Sequence, residues 1–337
     1  MSADITLSIF LSSKEKPMPK RYSTVRGREF GAGIRRAIAR TGMTGLEIAN
    51  VMSWQEAKIS DMVTGKGGVT LTEVAMVLSA CRVPGDERDH LLELFPQTDL
   101  QGWWQLHGEY SPTRSRTAHT QVEAAESLVG WHTHAIPLLL RTPEYMRALL
   151  LASATVPAKE LDDRLCALNE LQQSLNNGLD CTFYLHELAL QFQVGPLEEH
   201  LSQLHRLNHL ASRQKITIKV VPRAARAHPG LAGPFTLLRF KAATYAPMVW
   251  TETENSSLFT EEASSVKGFE AVVRALDAVS LNPHESGELI TRLLNEDGVV
   301  RCRQTGLTTT FPCHSKALPH SARPTVLPKP DQRRQTE

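Results

Sequence analysis

The stretch T-G-L-E-I-A-N-V-M-S-W-Q-E-A-K-I-S-D-M-V-T-G, residues 44–65, constrains the fold more than any other part of the chain. Thr44 with Glu47 three residues on has the spacing of a capping box. Ile48, Ala49 and Met52 then give an apolar stripe, which Ser53 and Trp54 interrupt. A second short helix is expected over 55–63 with Ile59, Met62 and Val63 inward, ended by Gly65, Gly67 and Gly68. Upstream, Phe30, Ile34, Ala37 and Ile38 recur at three- and four-residue steps, which predicts a helix over 28–40 that Gly42 stops. Downstream, Thr70 to Glu73 open a helix reaching about Cys81. Pro84-Gly85-Asp86 turn the chain into another over 87–95. Five helices are thus expected within 26–95.

Two short helices joined by so tight a break read as a helix-turn-helix. Ala49 is the small residue at the crossing, Ser53 the compact residue of the turn, and Trp54, Ile59 and Met62 the inner face of the second helix. Its outer face must offer hydrogen-bonding side chains to a major groove. Gln55, Glu56, Ala57, Lys58 and Asp61 occupy that face. Glutamine suits adenine, lysine suits guanine or a phosphate, and glutamate accepts from cytosine. Lys66 and the amides of Gly67 and Gly68 are placed to hold a phosphate. Arg35 and Arg36 of the preceding helix, with Thr44 at the cap, complete the candidate DNA-binding set. The bland alternative is an ordinary helical hairpin, which periodicity alone does not exclude.

Charge favours the first reading without deciding it. The whole chain is net +1, which excludes a uniformly basic coat, yet residues 1–66 are basic and 67–110 acidic. Hydrophobic residues make up 41% of the chain, enough for a real core, so a wholly disordered or fibrous chain is excluded. Five cysteines, none with CxxC spacing, read as buried reduced thiols and point to a cytoplasmic protein. The apolar run I-T-L-S-I-F-L-S-S has its positive charges after it rather than before, and no run is long enough to span a membrane.

The remainder divides by composition. Residues 1–25 read as a disordered basic arm, 96–118 as a polar linker, 119–296 as an α+β domain and 297–337 as a disordered tail. In the α+β domain, helices are expected over 119–132, 143–153, 158–177, 196–213, 262–280 and 283–295, the last with Pro283 behind Asn282 as cap. Strands are expected over 182–189, 216–221, 235–240 and 248–253. The fold class is α+β: an N-terminal all-α five-helix domain, then helices packed on an antiparallel sheet of about four strands.

Residues 28–83 resemble the DNA-binding domain of the Cro/C1-type (XRE) repressor family, with Thr44, Glu47, Ala49, Ile59, Ser60 and Gly65 in place. Ser53 stands where the family has a turn glycine, Glu56 where it has a glutamine and Asp61 where a basic residue is frequent. The segments GWWQLHGEY, PLLLRTPEYMRALL, FYLHELAL, VGPLEEHLSQLHRL, ITIKVVP, AHPGLAGPFTLLRF, VWTET and LNPHESGELI are similar to the C-terminal domain (DUF5753) of the Scr1/WhiJ-like regulators of filamentous, high-GC bacteria. Leu138 and Arg141 depart from that group's usual P-G-L-L-Q-T. The resemblance implies a sequence-specific transcriptional regulator of double-stranded DNA whose C-terminal domain binds a small acidic protein encoded nearby. It also implies an alternative, an antitoxin-like interaction protein with residual DNA binding. A homodimer is expected, because paired half-sites multiply a limited contact.

No catalytic constellation and no cofactor site emerges, so an enzyme is not expected. His132 and His134, with His119 upstream, lack a third ligand of fixed geometry and read as exposed helix-end residues. His186-Glu187 lacks the second histidine of HExxH, no GxSxG occurs, and G-L-A-G-P is not a phosphate loop. Trp103, Trp104 and Trp131 are read as packing residues, as are Tyr145 and Trp250, with a small-molecule pocket as the minority view. Glu187, placed within an apolar strand, needs a partner, and Arg141 is the candidate.

Overall fold

The computed structural model describes residues 23–106, 112–241 and 245–305. Five helices come first: α1 (Val25–Arg40), α2 (Gly45–Met52), α3 (Glu56–Thr64), α4 (Leu71–Ala80) and α5 (Gly85–Leu94). Their ends are set by local chemistry. Thr44 and Thr70 each accept from the N–H three residues on, and Glu47 and Glu73 reach back to the cap N–H groups, so both α2 and α4 begin in capping boxes. Ser53 takes φ +56° to close α2, a left-handed conformation in which glycine is the easier residue. Gln55 then caps α3 in extended conformation, and Gly65 ends it at φ +67°. Phe30, Ile34, Ile48, Ala49, Ile59, Met62, Val74, Leu78 and Leu91 form the core of this part. Full burial of such aliphatic and aromatic side chains stabilises by roughly 1.5–3 kcal/mol each.

α1 begins a turn earlier than the 28–40 periodicity predicts. The Thr24 side chain caps it by accepting from the Gly27 N–H at 3.0 Å, and Val25 is buried in the core of the second part rather than of the first. Ser23 bridges to Tyr245. Residues 23–25, expected within the arm, are therefore part of the fold. Residues 1–22 and 306–337, to which the remaining arm and tail expectations apply, lie outside the described residues.

The second part carries a seven-stranded sheet among the described residues: β1 (Trp103–Leu106), β2 (Ala125–His132), β3 (Asp180–His186), β4 (Ile216–Val221), β5 (Phe235–Phe240), β6 (Met248–Glu252) and β7 (Ser256–Thr260), in the order β1-β7-β6-β5-β2-β3-β4. Its helices are α6 (Pro112–Ala124), α7 (Pro143–Ala152), α8 (Leu161–Gln172), α9 (Glu187–Gln191), α10 (Leu197–Ala211), α11 (Ala263–Val279) and α12 (Pro283–Thr305). Alternation along β3 feeds two cores. Cys181, Phe183 and Leu185 join Leu204, Leu207 and Ile290 on one side, while Tyr184 joins Trp131, Phe235 and Val249 under α11 residues Val266 and Leu276 on the other.

The α+β class holds, and several details of the sheet differ from expectation. Strands 216–221 and 235–240 fall where the sequence places them. β2–β3 and β3–β4 pair in parallel, the other four pairs antiparallel, so the sheet is mixed. β2 occupies the stretch expected as the second half of a helix over 119–132. It pairs along its length with β3 on one side and β5 on the other, and those partners override its weak local pattern. β1 and the start of α6 lie in the expected linker 96–118, and β7 in a stretch that gave no strand signal. β3 stops at His186, whose ring Nδ1 accepts from the Leu188 N–H at 3.1 Å and starts α9, so 187–189 are helical. Asn282 and Glu285 cap each other reciprocally ahead of α12, which continues through 297–305 where a tail was expected.

The five-helix part and the sheet-bearing part belong to one compact unit that ends at Gly298. A fully buried polar joint connects them. The Arg28 guanidinium on α1 lies 3.0 Å from Glu261, just past β7, and its Nε donates to Gln121 Oε1 on α6 at 2.5 Å. Trp103 packs against both the helical core and the sheet core.

Candidate nucleic-acid interface

α3 is held close to α1 by glycines. A Cβ on Gly31 would sit 2.4 Å from the Val63 carbonyl oxygen, and one on Gly65 2.0 Å from that of Gly27. With no side chain between them, the two backbones approach closely, and Ile59 and Met62 are buried beneath α3. The opposite side of α3 is therefore turned outward. Gln55, Glu56, Ala57 and Asp61 are all exposed there. The Gln55 side chain makes no capping bond, and its amide has no hydrogen-bond partner among the described residues.

The basic members of the candidate set divide. Lys58 is half-buried: its Nζ pairs with Glu73 of α4 and stands 4.8 Å from the centre of the Trp54 ring. That pairing, ahead of the Thr70 N–H bond, holds the Glu73 carboxyl below the usual range. Arg36 is also half-buried and lies 3.6 Å from Glu29. Arg35 is exposed and donates to the Val63 carbonyl oxygen near the end of α3, where it braces the helix. Lys66 is exposed beyond the helix end, its backbone N–H donating to the Asp61 carbonyl at 3.0 Å. Thr44 is occupied by its cap: its N–H donates to Glu47 Oε2 at 2.7 Å, and this bond, with that of the hydroxyl, holds the Glu47 carboxyl low.

The structure thus brings Gln55, Glu56, Ala57 and Asp61 together on one exposed face, with Lys66 beyond the helix end. Arg36, Lys58 and Thr44 are engaged within the protein. Sequence reasoning missed the glycines that set the α1–α3 approach. The four-residue spacing of Gly27 and Gly31, which puts both on one side of a helix, was the available signal. It also missed the Arg28–Glu261 joint, for which no local signal exists.

Other expectations are corrected in the second part. Glu187 begins α9 instead of sitting in a strand, and it accepts from the Arg223 N–H at 2.8 Å and from the Gln191 side chain at 2.9 Å. Arg141 is not its partner: its Nε donates to the Ile136 carbonyl at 2.7 Å. His132 ends strand β2, not a helix, and burial, with Arg141 and His134 nearby, pushes its pKa down to about 3. Trp131 is a packing residue, with its ring N–H donating to the Gly230 carbonyl at 2.8 Å and the His186 and His228 rings edge-on to it. Trp104 is not one; it is 69% exposed. Cys81 and Cys181 are buried, whereas Cys166 is exposed. Among the described residues no group of three or more His, Cys, Asp or Glu is placed to hold a metal ion, and no helix is long and apolar enough to cross a membrane.

A capped, glycine-braced helix pair with an exposed polar face defines a helix-turn-helix protein, and residues 29–91 match the family model described as a helix-turn-helix domain. Residues 116–292 match the domain of unknown function DUF5753, which covers more than half of the chain, and the chain belongs to that family. No curated protein and no solved structure matches the chain. The helix-turn-helix domain suggests a DNA-binding regulator.

Proposed function

We propose that the protein is a sequence-specific transcriptional regulator that places α3 in the major groove of double-stranded DNA, and that it is not an enzyme. The observation that supports this reading is the exposed row Gln55, Glu56, Ala57 and Asp61 on a helix fixed from below by Ile59 and Met62. Gln55 is the base-reading residue, because its amide is unengaged and can bond adenine twice. Lys66 and Arg35 supply phosphate contacts. The regulator acts in the cytoplasm as a homodimer on paired half-sites, and the second domain receives a small acidic protein.

The experiment is a band-shift titration on the protein's own promoter region at two salt concentrations. Specific binding that Gln55→Ala abolishes supports the reading. Binding that the change leaves untouched removes α3 as the reading helix.

A second reading is favoured by one feature. The exposed face carries two carboxylates, Glu56 and Asp61, while its one lysine is drawn back onto Glu73. Such a face is a poor match for a polyanion. In that reading the protein is an antitoxin-like interaction protein with residual DNA binding, and the band shift shows only weak, sequence-independent retention that disappears at the higher salt.

A further inference from the structure

The two edges of the seven-stranded sheet are finished differently. At β4 the outward groups are taken: the Val220 N–H donates to Ser286 Oγ at 2.9 Å, and the Val220 carbonyl receives the Leu281 N–H at 2.8 Å. β1, the other edge, pairs with β7 on its inner side and with no strand on its outer side among the described residues. Its sequence W-W-Q-L holds no charge and no proline. Folded proteins block an open edge with such residues or cover it, because its free N–H and carbonyl groups otherwise pair with any strand that arrives. The side chains there are uncovered too. Trp104 and Leu106, on one face of β1, are 69% and 67% exposed, and Leu258, the register partner of Trp104, is 47% exposed.

One stretch of the chain has the matching make-up. Residues 5–12 read I-T-L-S-I-F-L-S, uncharged and without Gly or Pro. They alternate, so that an extended strand would carry Ile5, Leu7, Ile9 and Leu11 on one face and Phe10 on the other. β1 offers apolar neighbours on both of its faces, Trp103 on one and Trp104 with Leu106 on the other. The attachment point also fits. The N–H groups of Val25 and Gly102 donate to the same oxygen, Glu261 Oε2, at 3.0 and 3.4 Å, so the start of α1 stands beside the start of β1. Residues 13–22 can span up to roughly 33 Å, more than twice the roughly 14 Å that four paired residues occupy. A segment leading into α1 runs towards Gly102, whereas β1 runs away from it, which is the antiparallel sense.

We propose that residues 5–12 add to the open edge of β1 of their own chain as a further antiparallel strand. Main-chain hydrogen bonds to β1 supply the affinity, as in other strand additions, and the apolar side chains on both faces supply the fit. The tether keeps the segment at a high effective concentration beside β1, which favours its own edge over that of a second copy. The added strand denies the edge to other copies. This docking is independent of which DNA sequence, if any, α3 reads.

The test is amide hydrogen exchange on the full chain, read by mass spectrometry at two protein concentrations. The comparison is the double variant Ser8→Pro with Ile9→Pro. Adjacent residues of a strand point their N–H groups to opposite sides, so one of the two prolines removes a donor to β1 in either register. In the parent, exchange over 5–12 and over 103–106 should be at least about tenfold slower than in a free chain, at both concentrations. In the variant both segments should lose that protection, while exchange over the α4 core residues 74–78 stays as it was and shows that the fold is kept. Exchange over 5–12 at the free-chain rate in the parent overturns the proposal, and so does a variant that leaves 103–106 unchanged. Protection that fades on dilution assigns the edge to a second copy, and the proposal fails.

Discussion

The Arg28 guanidinium and the Glu261 carboxylate meet at 3.0 Å with both side chains 2% exposed, 233 residues apart in the chain. Arg28 also lies 4.8 and 5.0 Å from the centres of the Phe240 and Tyr245 rings, and its Nη1 donates to the Ser23 carbonyl at 2.6 Å. Burial lowers the Arg28 pKa, and the Glu261 charge opposes that shift. The pair fastens the first helix of the DNA-binding part to the end of the sheet.

Removing one member of a buried pair strands the other. Glu261→Ala should cost about 3–5 kcal/mol in urea unfolding, whereas the double change Arg28→Met with Glu261→Leu should recover most of that loss. A single variant as stable as the parent would show that the joint carries no such weight.

The glycines make opposite predictions. Gly31→Ala places a methyl group against the Val63 carbonyl, so α3 must shift, with an expected loss of roughly 1–3 kcal/mol and weaker DNA retention. Gly268 lies within α11 with open space around the position of a Cβ. Gly268→Ala should stabilise by about 0.5–1 kcal/mol. Thermal unfolding of the two variants checks both signs.

At the DNA surface, Lys66→Ala should weaken binding to all sequences alike and reduce the salt slope by about 1. Gln55→Ala should instead act only on the preferred sequence, with a loss of about 1–3 kcal/mol and the slope unchanged. Binding curves for preferred and scrambled duplexes over a salt series separate the two effects. Lys58→Ala is expected to change stability by less than about 1 kcal/mol, because its pair with Glu73 is partly exposed.

His132 gives a pH dependence with a definite sign. Its folded pKa is pushed down to about 3, against about 6.5 for a free histidine. Between these values the unfolded chain binds a proton that the folded chain refuses, so stability rises with pH through that window and falls on acidification. His132→Asn should flatten the loss between pH 6 and 4, read as the urea midpoint against pH. Glu262, held at about 2 by Ser264 and Ser265, acts lower: its contribution is present above about 4.3 and is lost as pH falls towards 2.

The helix-turn-helix part was legible almost residue by residue. Thr44, Glu47, Thr70 and Glu73 announce two capping boxes, and Ile59 and Met62 fall on the buried side of α3 as their spacing requires. The outward placement of Gln55, Glu56 and Asp61 follows from the same period. What spacing did not reveal is how the cations there are engaged. Lys58 belongs to the outer face by sequence position, yet its long side chain folds over Trp54 to Glu73, fifteen residues on.

The sheet was legible only in part. Ile216–Val221 alternates at its start and is rich in β-branched residues, and Phe235–Phe240 is a short, mostly apolar run set off by Gly233 and Pro234, so each declares itself alone. Ala125–His132 does not, and becomes a strand because β3 and β5 pair with it on both sides. The sequence by itself determined the helix caps, the tight turn and the exposed face of α3, since those depend on bonds spanning three or four residues. Only the tertiary structure decided the central strand, the parallel pairs and the Arg28–Glu261 joint. Each of these arises where segments far apart in the chain supply one another's hydrogen bonds or charge, and no local pattern carries that information.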